Sequence, residues 1–109
     1  MTDLTFAAFR DAAVERQKEW HLTSEPDLMF RAVELGGEVG ECLNVVKKLE
    51  RERLGAVGSR ASLDDLADEL GDVVICAMNL ACKAGIDLGA AVRRKFNATS
   101  EKNGLATRL

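Results

Sequence analysis

The sequence predicts an all-α fold: a four-helix subunit whose bundle is completed by oligomerisation. Three observations carry this. Strand signals are nearly absent, since the chain has no tyrosine, its β-branched residues are scattered, and alternation is never sustained. Helix caps and stops punctuate the chain. Between them run long segments with acidic and apolar residues at helical spacing.

The first helix is expected from about Thr5 to Trp20, with Phe6, Phe9, Ala13 and Arg16-Gln17 marking its turns. The segment His21 to Pro26 breaks it. Ser24 then reads as an N-cap, with Pro26 in the first turn and Asp27 beside the positive helix end. The second helix runs from there to about Arg53, and Leu54 to Ser59 reads as a flexible connection. Ser62, with Asp65 three residues on, resembles a capping box with Asp in place of Glu. The third helix ends near Lys83, where Ala84-Gly85 supplies a stop. Asp87 caps a fourth helix reaching about Lys102, Asn103-Gly104 closes it, and the last five residues form an arm or frayed tail. Helices two and three each span ~30 Å or more, against a radius of gyration of ~13 Å for a compact domain of this size. The third is apolar on every side from Val73 to Cys82, a girth that one short antiparallel partner does not cover. A second subunit is therefore expected.

The 109 residues fit one domain, 1–109, and 47% apolar with 30% charged residues fits a soluble globular chain. A net charge of −3 gives no footprint for duplex nucleic acid or an anionic membrane. Met1-Thr2-Asp3-Leu4 lacks the basic and apolar regions of a signal peptide. The longest near-continuous apolar run is well below the ~18 residues of a membrane helix. Cys42, Cys76 and Cys82 form no CxxC pair and read as reduced thiols of a cytoplasmic protein.

Two acidic motifs stand out, Glu38-Val39-Gly40-Glu41 and Glu69-Leu70-Gly71-Asp72. Residues three apart on a helix are neighbours, so each motif sets two carboxylates on one face. Glu34 extends the first stripe and Asp65 the second. On facing helices the pairs would converge, and like charges repel unless a cation intervenes. Oxygen-only ligands select Mg²⁺, Mn²⁺ or Ca²⁺ over zinc or copper. The bland alternative is a pair of solvated acidic faces balanced by Lys47, Lys48, Arg51 and Arg53. Gly36, Gly37, Gly40 and Gly71 each cost a helix ~1 kcal/mol relative to alanine. They suit a close approach by another helix or a ligand. A di-iron bundle needs Glu-x-x-His motifs, and the one histidine, His21, has no such partner. Zinc hydrolysis lacks its ligands too, and no GxxxxGK phosphate cradle is present.

Glu34-Leu-Gly-Gly-Glu38-Val-Gly-Glu41, followed by Asp65-Leu-Ala-Asp-Glu69-Leu-Gly-Asp72-Val-Val, resembles the MazG-like branch of the all-α nucleoside triphosphate pyrophosphohydrolases. The resemblance covers roughly Glu15 to Asn103. It implies a homodimer or homotetramer and Mg²⁺-dependent cleavage of (deoxy)nucleoside triphosphates between the α and β phosphates. Glu38, Glu41, Glu69 and Asp72 match the family's metal-binding and catalytic acids. Many relatives carry consecutive acids at the first motif. Here Gly37 precedes Glu38, and Glu34 stands one turn away as a substitute. In the family's phosphate-binding stretch Lys95 is kept, while Thr99 and Lys102 stand where Asn and Arg align. Lys95, Lys102 and Asn97 are the expected contacts there, and Lys48 is a further substrate-side candidate. Trp20 and His21 fall where relatives place base-contacting aromatic residues, and a Trp stacks on any base. Asn44, one turn past Glu41, and Asn79, seven residues past Asp72, are the remaining polar candidates. The second reading of the same residues is a non-catalytic dimerisation or nucleotide-binding module that retains the fold.

Overall fold

In a computed structural model, the described residues, 3–109, form four helices and no strand. They are α1 (Phe6–Glu19), α2 (Leu28–Leu54), α3 (Leu63–Ala84) and α4 (Leu88–Lys102). The chain is all-α. Met1 and Thr2, the start of the stretch read as lacking a signal peptide, lie outside the described residues.

Local chemistry sets the boundaries. Thr5 caps α1 by accepting the Ala8 N–H at 3.1 Å, and Asp87 caps α4 through the Ala90 N–H at 3.0 Å. The Ser62–Asp65 capping box forms in both directions: Ser62 Oγ accepts the Asp65 N–H and Asp65 Oδ2 accepts the Ser62 N–H. Gly55 and Gly85 end α2 and α3 in the left-handed conformation, at φ 66° and 70°. The next N–H reaches back to Arg51 and Ala81 respectively, as in a Schellman closure.

Two boundary expectations are corrected. The α2 cap is Asp27, which accepts the Phe30 N–H at 2.8 Å, and not Ser24. A cap at Ser24 would put Pro26 at N2, where it has no N–H to offer the cap. With Asp27 as cap, Pro26 sits just outside the helix. The α2–α3 connection is tied rather than slack: Arg51 donates to the Ser59 carbonyl and hydroxyl, and Arg60 donates to the Ala56 carbonyl.

The packing nucleus is the α2–α3 antiparallel hairpin, with α1 laid across the C-terminal half of α3. Cys76, Met78, Asn79 and Ala81 of α3 are buried, as are Ala13 of α1 and Val45 of α2. Within the chain α1 and α2 cover only part of the apolar girth of α3: Val74 stays exposed, and Val73, Ile75, Ala77, Leu80 and Cys82 are half-buried. The axes of α3 and α4 turn through 107°, and α4 packs on α1. There Gly89 lies so near Phe6 that a Cβ would stand 3.0 Å from the Phe6 Cβ. The terminal segment is an ordered arm: Asn97 exchanges two hydrogen bonds with the Leu109 backbone, the stronger at 2.8 Å.

Candidate functional site

The α2–α3 seam brings the two acidic motifs together. Carboxylate oxygens of Glu38, Glu41 and Glu69 lie within 4.8 Å of one another. Asp72 stands close enough to raise the proton affinity of both Glu38 and Glu69. Burial, then the charges of Glu41 and Asp72, hold both carboxyls above the ordinary value of 4.5. One oxygen of Glu38 and one of Glu69 are buried without any hydrogen-bond partner. Such orphaned acceptors are rare in folded chains, and a cation is one chemistry that would satisfy them.

The nearby bases do not neutralise this group. Arg53 pairs with Glu50, Arg51 holds the 56–60 loop, and Lys48 stands near Asp65. Among the described residues no recorded ion pair includes Glu38, Glu41, Glu69 or Asp72. Glu41 and Asp72 face solvent and Glu38 and Glu69 are half-buried, so the acidic face is partly solvated but is not balanced by ion pairs. Glu34 is engaged elsewhere: it accepts from Arg31 at 3.1 Å, and it is not one of the three convergent acids. Gly36, Gly37, Gly40 and Gly71 have open space where a Cβ would lie, so no packing inside the chain explains them.

Cys76 lies one turn beyond Asp72. Burial, then Glu34, Glu38 and Asp72, push its thiol up to about 11. At neutral pH it stays protonated, which leaves the donor set all-oxygen and suited to a hard divalent cation.

Two cavities lie along α1 and α3, and the smaller reaches Asp72. One, of about 290 Å³, is lined by Trp20, Phe30, Arg31, Glu34, Asp72 and Asn79 among others. The larger, of about 590 Å³, lies between α1, the 21–26 segment and α3, and includes Gln17, His21, Arg31 and Asn79. Asn79 and Arg31 are both buried and belong to both cavities. His21 holds a left-handed backbone, φ 51°, at the turn after α1. Trp20 and Asn79 therefore share the smaller cavity with Asp72, while His21 lines the larger one, which none of Glu38, Glu41, Glu69 and Asp72 enters. Asn44, Lys48, Lys95, Asn97 and Lys102 line neither cavity. Asn97 spends its amide on the C-terminal arm.

Sequence reasoning missed Arg31, Phe30 and Gln17. Arg31 donates to both Glu34 and Gln17 Oε1, which fixes it between α1 and α2. Its spacing offered a signal, for Arg31, Glu34, Glu38 and Glu41 share one helical stripe. An arginine on that stripe is the natural counter-charge for the first acid.

Fold and site together define an all-helical chain with a carboxylate cluster at the seam of its two longest helices. No family model matches it, and no solved structure matches. Over 70 residues it is 36% identical to the Gene 37 protein of Mycobacterium phage L5. That stretch is 64% of this chain and spans only 60% of the phage protein's length.

Proposed function

We propose that the protein is a MazG-like, Mg²⁺-dependent nucleoside triphosphate pyrophosphohydrolase. The observation that carries this is the convergence of Glu38, Glu41 and Glu69 within 4.8 Å, with two buried oxygens left unpartnered. Glu38, Glu41, Glu69 and Asp72 fit a hard divalent cation, Mg²⁺ or Mn²⁺. Bound there, it supplies neutralisation of the phosphate chain and a lowered pKa for the attacking water.

The chain's own groups divide the remaining work. One of the cluster's carboxylates, Glu38 or Glu41, is the general base for the attacking water. Trp20 offers an exposed ring at the mouth of the smaller cavity for stacking on the base. Asn79 offers both a donor and an acceptor inside it. Arg31 is held by Glu34 and Gln17 as a fixed cation on the wall. The reading includes a homo-oligomer and a reducing cytoplasm, where the three free thiols persist.

The test is a nucleotide panel with Mg²⁺, measuring pyrophosphate and monophosphate release. Those two products, lost in Glu69→Ala, are expected. Orthophosphate with diphosphate as primary products, or full activity in Glu69→Ala, overturns the assignment.

A further inference from the structure

The two cavities share one wall, and the hydrogen bonds already made in that wall decide what it can still offer. Gln17, Arg31 and Asn79 line both cavities. The Arg31 side chain is 9% exposed, and Gln17 is half-buried. Asn79 is 7% exposed, and among the described residues no recorded hydrogen bond uses its amide. A buried amide without a partner in the chain calls for one from outside it.

Arg31 is a donor only. A guanidinium carries five N–H groups and no acceptor, and it keeps its proton in proteins. One N–H is spent on Glu34 and one on Gln17 Oε1. The second bond also orients Gln17. Facing a donor, its amide turns its oxygen to Arg31, which leaves the NH₂ as the unspent group. Glu34 is already engaged by Arg31 and by the neighbouring Cys76 thiol. Asp72, the other acid of the smaller cavity, belongs to the acid cluster. The fixed part of the wall, Arg31 with Gln17, therefore presents donors alone. Asn79 carries both a donor and an acceptor and can rotate to suit either.

A donor-only wall matches a carbonyl oxygen. On the reading that a nucleotide base enters beside Asp72, we propose that Arg31 and Gln17 select bases whose edge carries a carbonyl and reject an amino group in its place. A carbonyl accepts from both side chains. An amino group sets donor against donor and leaves buried N–H groups unpaired. A site built to hydrogen-bond one group rejects the analogue that lacks it more strongly than an apolar pocket does. Arg31 and Gln17 are thus specificity-determining residues, separate from the acids and from Trp20, whose stacking suits any base.

Deoxyinosine and deoxyadenosine triphosphates test this, because their bases differ at one edge. The first has a carbonyl beside a ring N–H, the second an amino group beside a bare ring nitrogen. With Mg²⁺ present, wild type should favour the inosine compound by about tenfold or more in kcat/KM. Arg31→Gln strips Glu34 of its partner and can unfold the start of α2, so Gln17→Glu is the decisive variant. One carboxylate oxygen keeps the bond to Arg31, and the other stands as an acceptor where the NH₂ was. The ratio should narrow by about threefold or more, through a gain for the adenosine compound. A damaged fold gives no such gain, and a ratio within one preparation cancels the folded fraction. Asn79→Ala should lower kcat/KM for both substrates and hold the ratio within about twofold, since the amide serves either edge. Equal kcat/KM for the two substrates in wild type, an unchanged ratio in Gln17→Glu, or a ratio lost in Asn79→Ala overturns the proposal and leaves the pyrophosphohydrolase reading standing. Calorimetry with the two monophosphates, without metal, separates the converse case. A chain that hydrolyses neither triphosphate but binds deoxyinosine monophosphate more tightly than deoxyadenosine monophosphate upholds the proposal and overturns that reading. Binding of neither overturns both.

Discussion

Burial, and after it repulsion inside the acid cluster, makes ionised Glu38 and Glu69 destabilising in the absence of a cation. Both carboxyls bind protons more tightly in the folded chain than the ordinary value of 4.5. The stability they contribute is therefore present below that value and lost as pH rises through the raised one. Asp65 is the opposite case. Its hydrogen bonds from Ser62 hold it below 3.8, so its contribution is present above that value and lost as pH falls through the depressed one. Thermal melts in a chelator should show Glu38→Gln melting higher than wild type at pH 7, with the gap closing as pH falls toward 4.5. A constant gap, or none, would mean that repulsion at Glu38 does not matter. Added Mg²⁺ should reverse the order on the proposed function, because a ligand of the folded state stabilises it by RT ln(1 + [L]/Kd) and the amide binds it poorly. Four acids and Asn79 were legible because carboxylates three residues apart, or an amide in an apolar run, stand out in one dimension. Arg31–Gln17 was not, since the pair is fourteen residues apart and exists only once α1 lies across the hairpin.

The elements were legible where one residue decides an end. Ser62, Asp87, Gly55 and Gly85 act through their own side chain or backbone freedom, and no distant contact is needed. The start of α2 was ambiguous because Ser24 and Asp27 are both good caps, and the missing N–H of Pro26 decides between them. Ser62→Ala removes one half of the α3 capping box and should cost about 1 kcal/mol, measured by urea unfolding. An unchanged midpoint would mean the box is idle in solution. Gly71 sits mid-helix with open space around its absent Cβ. Gly71→Ala should therefore stabilise by up to ~1 kcal/mol through helix propensity alone. If it stabilises the chain while impairing Mg²⁺ or nucleotide binding, the glycine is kept for ligand access. If it destabilises, something outside the single chain packs there. The reach of α4 was not legible at all. Its caps give its length, but neither the 107° turn after Gly85 nor the approach of Gly89 to Phe6 has a local signal, since the second joins sequence-distant residues.

At the scale of the whole molecule, the expectation of a second subunit rested on the girth of α3 from Val73 to Cys82, and α1 and α2 cover that girth only in part, burying Cys76, Met78, Asn79 and Ala81 while Val74 stays exposed. Val74 belongs to a wider exposed apolar face of the hairpin, with Val39, Leu43, Val46, Leu63 and Leu70, and the homo-oligomer of the proposed function would bury it. Read along α2 and α3 these apolar residues look like ordinary core positions, and only the arrangement of the helices reveals that they stay exposed in the single chain. Because, at about 100° per residue, the acids and this face lie on opposite sides of one hairpin, the two should respond independently. Substitutions without shared partners and about 7–10 Å or more apart add to within ~0.5 kcal/mol. Glu38→Gln should lose the Mg²⁺-induced rise in melting temperature and keep the wild-type mass. Val74→Ser should weaken association and, at saturating Mg²⁺, keep the rise. Folding linked to association adds a further signature: the wild-type melting temperature should climb with protein concentration, and that of Val74→Ser should start lower and climb over a higher range. Melts over a hundredfold range of concentration, with and without Mg²⁺, separate the two effects. If Val74→Ser abolishes the Mg²⁺ response at concentrations where it is still dimeric, the two sides are coupled through the seam, and the acid cluster is built only in the assembled bundle.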